Sequence, residues 1–183
     1  MDTRIRHVAA ALIAAVTLAS VADAQQVTRP DPFGPIAALL GQWEGTTNGQ
    51  PGSGTATRRY ERTLNSRFIR VVNRTEYPPQ EKNPKGEKHD DEGFFSFDRG
   101  RKRIVFRQFH IEGFVNTYVL EGEPSADRIV FTSEAIENIP TGFQARETYH
   151  LQGTDEFEEV FELAEPGKPF TVYSRTQFRR IKN

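Results

Sequence analysis

The stretch LLGQWEGTTNG, Leu39 to Gly49, decides the fold. A short apolar run breaks into Gly-x-Trp-x-Gly and then turns polar. Trp43 is the single tryptophan of the chain and sits between Gly41 and Gly45. Just upstream, PFGPIAALLGQW holds one short helix, because Pro35 suits a first helical turn and Gly41 suits the stop. Downstream, no window keeps a 3.6-residue apolar period for long, so the remainder reads as strands. Together these features describe the entrance to a closed β-barrel. The short helix plugs one end, Trp43 points inward from the first strand, and Gly45 lets a neighbouring backbone pass close by.

Working outward, strand candidates follow at short intervals. They are Gln42–Thr47, Gly54–Leu64, Arg67–Tyr77, Glu92–Asp98, Arg101–Phe109, Phe114–Gly122, Arg128–Ser133, Phe143–Leu151, Glu156–Leu163 and Phe170–Ile181. The segments LNSR, DRGR, EPSADR, QGTD and EPGKP carry the Gly, Pro, Asn or Asp that tight turns need. TTNGQPGSGT is a glycine-rich hairpin loop. Two longer interruptions, PPQEKNPKGEKHD and EAIENIPTG, read as surface loops, the first of them mobile and placed where a lid could be. Strands joined this way form an antiparallel meander, and closing the sheet removes bare edges that invite aggregation. The expected fold is therefore all-β: a closed antiparallel up-and-down β-barrel of about ten strands, with one short N-terminal helix capping one end.

Alternation sets the faces. RIVFRQFH puts Ile104, Phe106, Gln108 and His110 together. FVNTYVL does the same for Phe114, Asn116, Tyr118 and Leu120. FQARETYHL groups Phe143, Ala145, Glu147, Tyr149 and Leu151, and FEEVFEL groups Phe157, Glu159, Phe161 and Leu163. One face is apolar with a few polar insertions, as a barrel interior would be.

The 183 residues suffice for one domain. A net charge of −1 gives no global argument for nucleic acid or an anionic membrane. The absence of cysteine excludes disulfides, thiolate nucleophiles and Cys-based metal sites. Residues 1–24 read as a signal peptide: a basic MDTRIRH, an apolar VAAALIAAVTLAS too short for a permanent span, and an A-x-A site before Gln25. Residues 25–34 form an extended lead-in, and 35–183 the barrel domain. The expected location is periplasmic or secreted, without integral membrane association once the leader is cleaved.

LLGQWEGTTNG, DDEGFFSFDRGRKRIVFRQFHIEGFVNTYVL and TVYSRTQFRRI resemble the calycin superfamily. Within it, the chain is similar to bacterial lipocalin-like families of unassigned function, which are related to nitrobindin-like and fatty-acid-binding barrels. The resemblance runs from about Pro35 to the C-terminus. It implies a barrel around a cavity that holds a small, largely apolar molecule. The nitrobindin-like branch implies haem bound through a histidine near the last strands. FTVYSRTQFRR has no histidine, which leaves His110 and His150 as the haem-ligand candidates. Fatty-acid-binding barrels place an Arg and a Tyr of the last strand inward to hold a carboxylate, and Tyr173 and Arg175 resemble that pair.

Candidate ligand contacts are the inward polar residues Gln108, Asn116, Tyr118, Glu147, Tyr149 and Glu159, the aromatics Trp43, Phe95 and Phe106, and the anchors Arg62, Tyr173 and Arg175. A bare carboxylate in an apolar cavity is costly, so Glu147 and Glu159 each need a partner, water or a proton. Arginines are the available partners, inside as a head-group anchor or outside in cross-strand pairs. Residues 55–74 hold six arginines against one glutamate, and residues 147–165 hold seven acids and no base, which favours the outer pairs. KHDDE offers His89, Asp90, Asp91 and Glu92 either to a divalent cation or to solvent. No metal site and no cofactor is assigned, haem being the alternative. Gly-x-Ser-x-Gly, paired metal-ligand histidines and phosphate-cradling loops are absent. The leading expectation is an exported protein that binds a hydrophobic or amphipathic, acidic small molecule. The alternatives are a haem-binding nitrobindin-like barrel and a cofactor-free lyase or isomerase using Glu, Tyr and Arg.

Overall fold

The computed structural model describes residues 30–122, 125 and 127–182. The expected signal peptide, 1–24, and residues 25–29 of the expected lead-in lie outside them. The strands are β1 (Gly41–Gly49), β2 (Gly52–Thr63), β3 (Phe68–Tyr77), β4 (Glu87–Asp98), β5 (Arg103–His110), β6 (Val115–Leu120), β7 (Arg128–Glu137), β8 (Gln144–Leu151), β9 (Glu156–Ala164) and β10 (Thr171–Arg180). Each pairs antiparallel with its sequence neighbours, and β1 pairs with β10 to close the barrel. Closure runs from Trp43 opposite Arg180 to Gly49 opposite Ser174.

The element ahead of β1 is a 3-10 turn, Gly34–Leu39, rather than an α-helix. It buries Ile36 and Leu39 across one end of the barrel, beside Phe33. Trp43 lies inside as its position in the motif requires: its indole donates to Leu39 O (2.7 Å) and meets the Phe157 ring edge-on at 4.7 Å. Arg180 fastens the seam. Its guanidinium stacks 4.0 Å from the Trp43 ring and donates to Ala38 O (2.9 Å). Gly45 is needed because a Cβ there would stand 2.4 Å from Gln177 O on β10.

Two interruptions are shorter than the sequence suggests. All of KHDDEG belongs to β4, which begins at Glu87, and the remaining loop is tied down: Gln80 accepts from Ser53 N (2.8 Å) and donates to Ser53 O (2.9 Å). β7 continues to Glu137, past an irregularity that leaves Glu134 unpaired opposite Thr117–Tyr118. Such a bulge hides the strand from alternation, because the inward set changes parity from Ser133 to Ile136. The outer wall carries cross-strand ion pairs, among them Arg70 with Glu92 and Glu61, and Arg146 with Glu162 at 2.7 Å.

Candidate functional site: the open half of the barrel

The inward residues divide the barrel lengthwise. Toward the 3-10 turn, the lumen is filled by Tyr60, Phe95, Phe106, Tyr118, Phe131, Phe157 and Phe178, all buried. Phe95 and Phe106 stack with centroids 4.1 Å apart, and Gly93 leaves room for them, since a Cβ there would press on Phe106 at 2.6 Å. Toward the other end the lumen opens into a cavity of about 450 Å³, within the range of small-molecule sites.

The cavity has two unlike walls. One is polar. Alternation along FIRVVNRTEY turns Asn73 and Thr75 inward, and along KHDDE it turns His89 and Asp91 inward. Lys88, Asp90 and Glu92 face out, toward Glu76, Arg74 and Arg70 respectively. β5 and β6 add Gln108, His110 and Asn116. The opposite wall is apolar, with Ile136, Ile139, Pro140, Phe143, Phe161 and Leu163.

The floor is charged. Arg58 and Glu159 are both buried and pair across the lumen, Nη2 to Oε1 at 2.9 Å and Nε to Oε2 at 3.4 Å. Burial works against the Arg58 charge, but the Glu159 carboxylate outweighs it, and the guanidinium is held more firmly protonated than usual. Glu147 lies beside this pair and accepts from Tyr149 Oη at 2.5 Å. Burial, followed by the Glu159 charge, pushes the Glu147 carboxyl up to about 8, although the Tyr149 bond pulls the other way. A carboxyl in that position carries a proton at neutral pH. Burial likewise raises the hydroxyls of Tyr60, Tyr118 and Tyr149 well above their usual range.

Of the residues expected at a ligand site, Gln108, Asn116, Glu147, Glu159 and Tyr173 line the cavity. Tyr118 and Tyr149 lie just beneath, bonded to Asn116 Nδ2 (2.7 Å) and Glu147. Trp43, Phe95 and Phe106 belong to the packed half instead. Arg62 and Arg175 are corrections. Arg62 shares the parity of Arg58 and Tyr60, but its side chain runs past the closed end to Asp31. Arg175 and Tyr173 do not act as a pair, because a bulge between Val172 and Ser174 shifts the register of β10. Tyr173 and Ser174 reach the cavity, while Arg175 faces outward to Glu158 (3.3 Å). The inward arginine is Arg58, legible as the residue sharing a face with Ala56 and Tyr60. His110 lines the cavity, whereas His150, opposite Arg128 and Glu158 in the ladder, does not.

Both cavity imidazoles have polar groups set against their ring nitrogens. His110 Nδ1 lies 2.8 Å from Asp91 Oδ1, its Nε2 lies 3.1 Å from Asn116 Nδ2, and its ring stacks on Phe114 at 4.0 Å. His89 Nδ1 meets Glu112 at 2.5 Å, and its Nε2 abuts Glu87. A haem iron would therefore have to displace an amide or a carboxylate to reach either ring, and β10 offers Tyr173 and Ser174 in place of a histidine.

No curated protein matches the chain. Among solved structures, Rv2717c from M. tuberculosis is similar, with a TM-score of 0.65 at 16% identity, covering 84% of this chain and 99% of that one. At that identity the likeness is one of fold. A de novo designed fluorescence-activating β-barrel reaches a TM-score of only 0.39 at 12% identity over 78% of this chain and 93% of its own, which carries no argument. The model of the THAP4-like, heme-binding beta-barrel domain matches residues 32–180, nearly all of the described barrel, and the chain belongs to that family.

Proposed function

We propose that the protein binds a small, mostly apolar molecule in the open half of the barrel, oriented by the polar wall of β3 to β6. The observation that carries this reading is the two-faced cavity: hydrogen-bonding side chains on one side, aliphatic and aromatic ones on the other, over a floor that is already paired. The acidic guest suggested by the sequence loses its anchor, because Arg58 is held by Glu159 while Asp91, Glu112, Glu147 and Glu159 border the same space. A neutral or cationic body suits those surroundings better. Native mass spectrometry of gently purified protein is expected to show a co-purified organic molecule, lost on Asn116→Leu or Phe161→Ala. A barrel that carries none, and takes up none from a panel of neutral and cationic amphiphiles, overturns the reading.

Haem is a second reading, favoured by the family to which the chain belongs. As they stand, the residues do not fit it well, for the reasons of imidazole access given above. If haem binds, His110 or His89 is the residue to hold it, since both rings line the cavity while β10 has no imidazole. Haemin titration tests this directly: a Soret band that disappears in His110→Ala or His89→Ala supports it, and a band indifferent to His110 and His89 rejects imidazole ligation. The leader supports an exported location, periplasmic or secreted. Expression with the native leader should then yield a mature chain beginning at Gln25 by N-terminal sequencing, and an uncleaved chain would refute export.

A further inference from the structure

At the cavity mouth, β4 and the β5–β6 turn bring together three groups of a different kind. Asp91, His110 and Glu112 each offer one ligand atom, and the three atoms lie within 4.8 Å of one another. The contact between Asp91 Oδ1 and His110 Nδ1 is close, at 2.8 Å, yet Oδ1 receives no aligned hydrogen bond. Two buried amides abut the same cluster. Gln108 Nε2 lies 3.3 Å from Asp91 Oδ2, and Asn116 Nδ2 lies 3.1 Å from His110 Nε2. Gln108 and Asn116 are 3% and 1% exposed, and each leaves its oxygen without a donor. Orphaned buried acceptors are costly and call for an explanation.

A half-turn of the Asn116 amide gives a second network, which moves the unpartnered end of the group from its oxygen to its nitrogen. Its oxygen would then accept from both Tyr118 Oη–H and His110 Nε2–H, at the positions where its nitrogen now contacts them. That arrangement fixes the imidazole proton on Nε2 and leaves Nδ1 as a lone pair facing Asp91 Oδ1. Two lone pairs at that separation repel unless a proton or a metal ion is shared between them. His89 Nδ1 steadies Glu112 from the other side, as outer partners of metal-binding carboxylates do.

We propose that Asp91 Oδ1, His110 Nδ1 and the Glu112 carboxylate bind a divalent transition-metal ion at the mouth of the cavity. One imidazole and two carboxylates suit a borderline ion such as Zn²⁺, Co²⁺ or Mn²⁺. Calcium prefers oxygen alone, and no thiolate is present to select Cu⁺. Two carboxylates neutralise the ion, and all three ligands line the cavity, so that a guest there could supply a further donor atom. KHDDE thus contributes to the site through its inward-facing residues alone, Asp91 as ligand and His89 as support.

The metal site is independent of the guest reading, because a barrel that binds metal but no organic molecule still supports it. The test uses Co²⁺ with the mature chain, followed by visible absorption, equilibrium dialysis and paramagnetic NMR shifts. One ion per chain is expected, with shifts centred on Asp91, His110 and Glu112. Asp91→Asn and Glu112→Gln should each weaken binding by about tenfold or more, by analogy with losses at supporting residues. Glu158→Gln on the outer wall should leave it unchanged. No stoichiometric binding, shifts centred elsewhere, or wild-type affinity in both ligand variants overturns the proposal. Should a variant misfold, the shifts in the unaltered protein decide the matter. Haemin uptake that survives Asp91→Asn and Glu112→Gln but not His110→Ala would assign the imidazole to the second reading of function instead.

Discussion

The two halves of this barrel are built from the same strands and solve opposite problems. Near the 3-10 turn, inward positions are aromatic and touch one another: Trp43 on Phe157, Phe95 on Phe106, Phe157 on Phe178 at 4.9 Å. At the far end the same alternation delivers Asn73, Asp91, Gln108 and His110, and the lumen stays open. A single strand can serve both. β4 runs from His89 and Asp91 at the mouth to Phe95 and Phe97 near the closed end. Burial of the aromatic half holds the sheet closed, so the other half can carry polar groups that a packed core would reject.

If that division is right, the largest losses of stability lie at the closed end and at the floor between the halves. Phe157→Ala removes a fully buried ring that contacts Trp43, Tyr149 and Phe178, and is expected to cost about 3–5 kcal/mol in urea unfolding. Glu159→Gln is expected to cost a similar amount, about 3–5 kcal/mol, because it strands the buried Arg58 charge. Phe143→Ala, at the rim, should cost much less. Equal costs at Phe143 and Phe157 would mean that the open half is as structural as the closed one.

Glu147 extends the contrast between the halves to protons. Its carboxyl is pushed up to about 8 in the folded protein, against an ordinary value of 4.5. Between those two values the folded state binds more protons than the unfolded chain, so stability is greatest below pH 4.5 as far as this group is concerned. It declines as pH rises toward 8. Glu147→Gln keeps a neutral side chain able to meet Tyr149 and should flatten that decline, gaining stability at pH 8 relative to the parent. Chemical denaturation at pH 5 and pH 8 measures it. A variant that loses stability equally at both would mean that Glu147 is ionised in the fold and held by Arg58.

What alternation could reveal, it revealed, and its failures have identifiable causes. The strands of RIVFRQFH and FQARETYHL are regular, and their inward sets, including Gln108, His110, Glu147 and Tyr149, follow from parity alone. β3 and β4 are regular too, so Asn73 and Asp91 were legible, had KHDDE been read as strand and not as loop. Bulges were not legible. The ones at Glu134 and Tyr173 change parity within a strand, and nothing in EAIEN or TVYSR marks the extra residue. Nor does parity tell how deep a residue lies along the barrel axis. Arg58 and Arg62 share a face, but one reaches the floor of the cavity and the other the outside of the closed end.

Arg175 gives the smallest expected effect and the most direct check on that lesson. Read from its strand alone, it belongs beside Tyr173 as an anchor within the lumen, and its removal would abolish binding of an acidic guest. The bulge in β10 instead sends it outward, where it is half exposed and meets Glu158 at 3.3 Å. Exposed pairs of this kind contribute about 0–1 kcal/mol and weaken with salt. Arg175→Ala should therefore leave uptake of any guest unchanged, whereas Tyr173→Ala, one bulge away on the same strand, should weaken it. Arg175 is paired on the solvent side of the wall, whereas the ring removed from Tyr173 is part of the cavity lining itself. A guest lost with Arg175 and kept with Tyr173 would restore the uninterrupted alternation and place the anchor where the sequence first suggested.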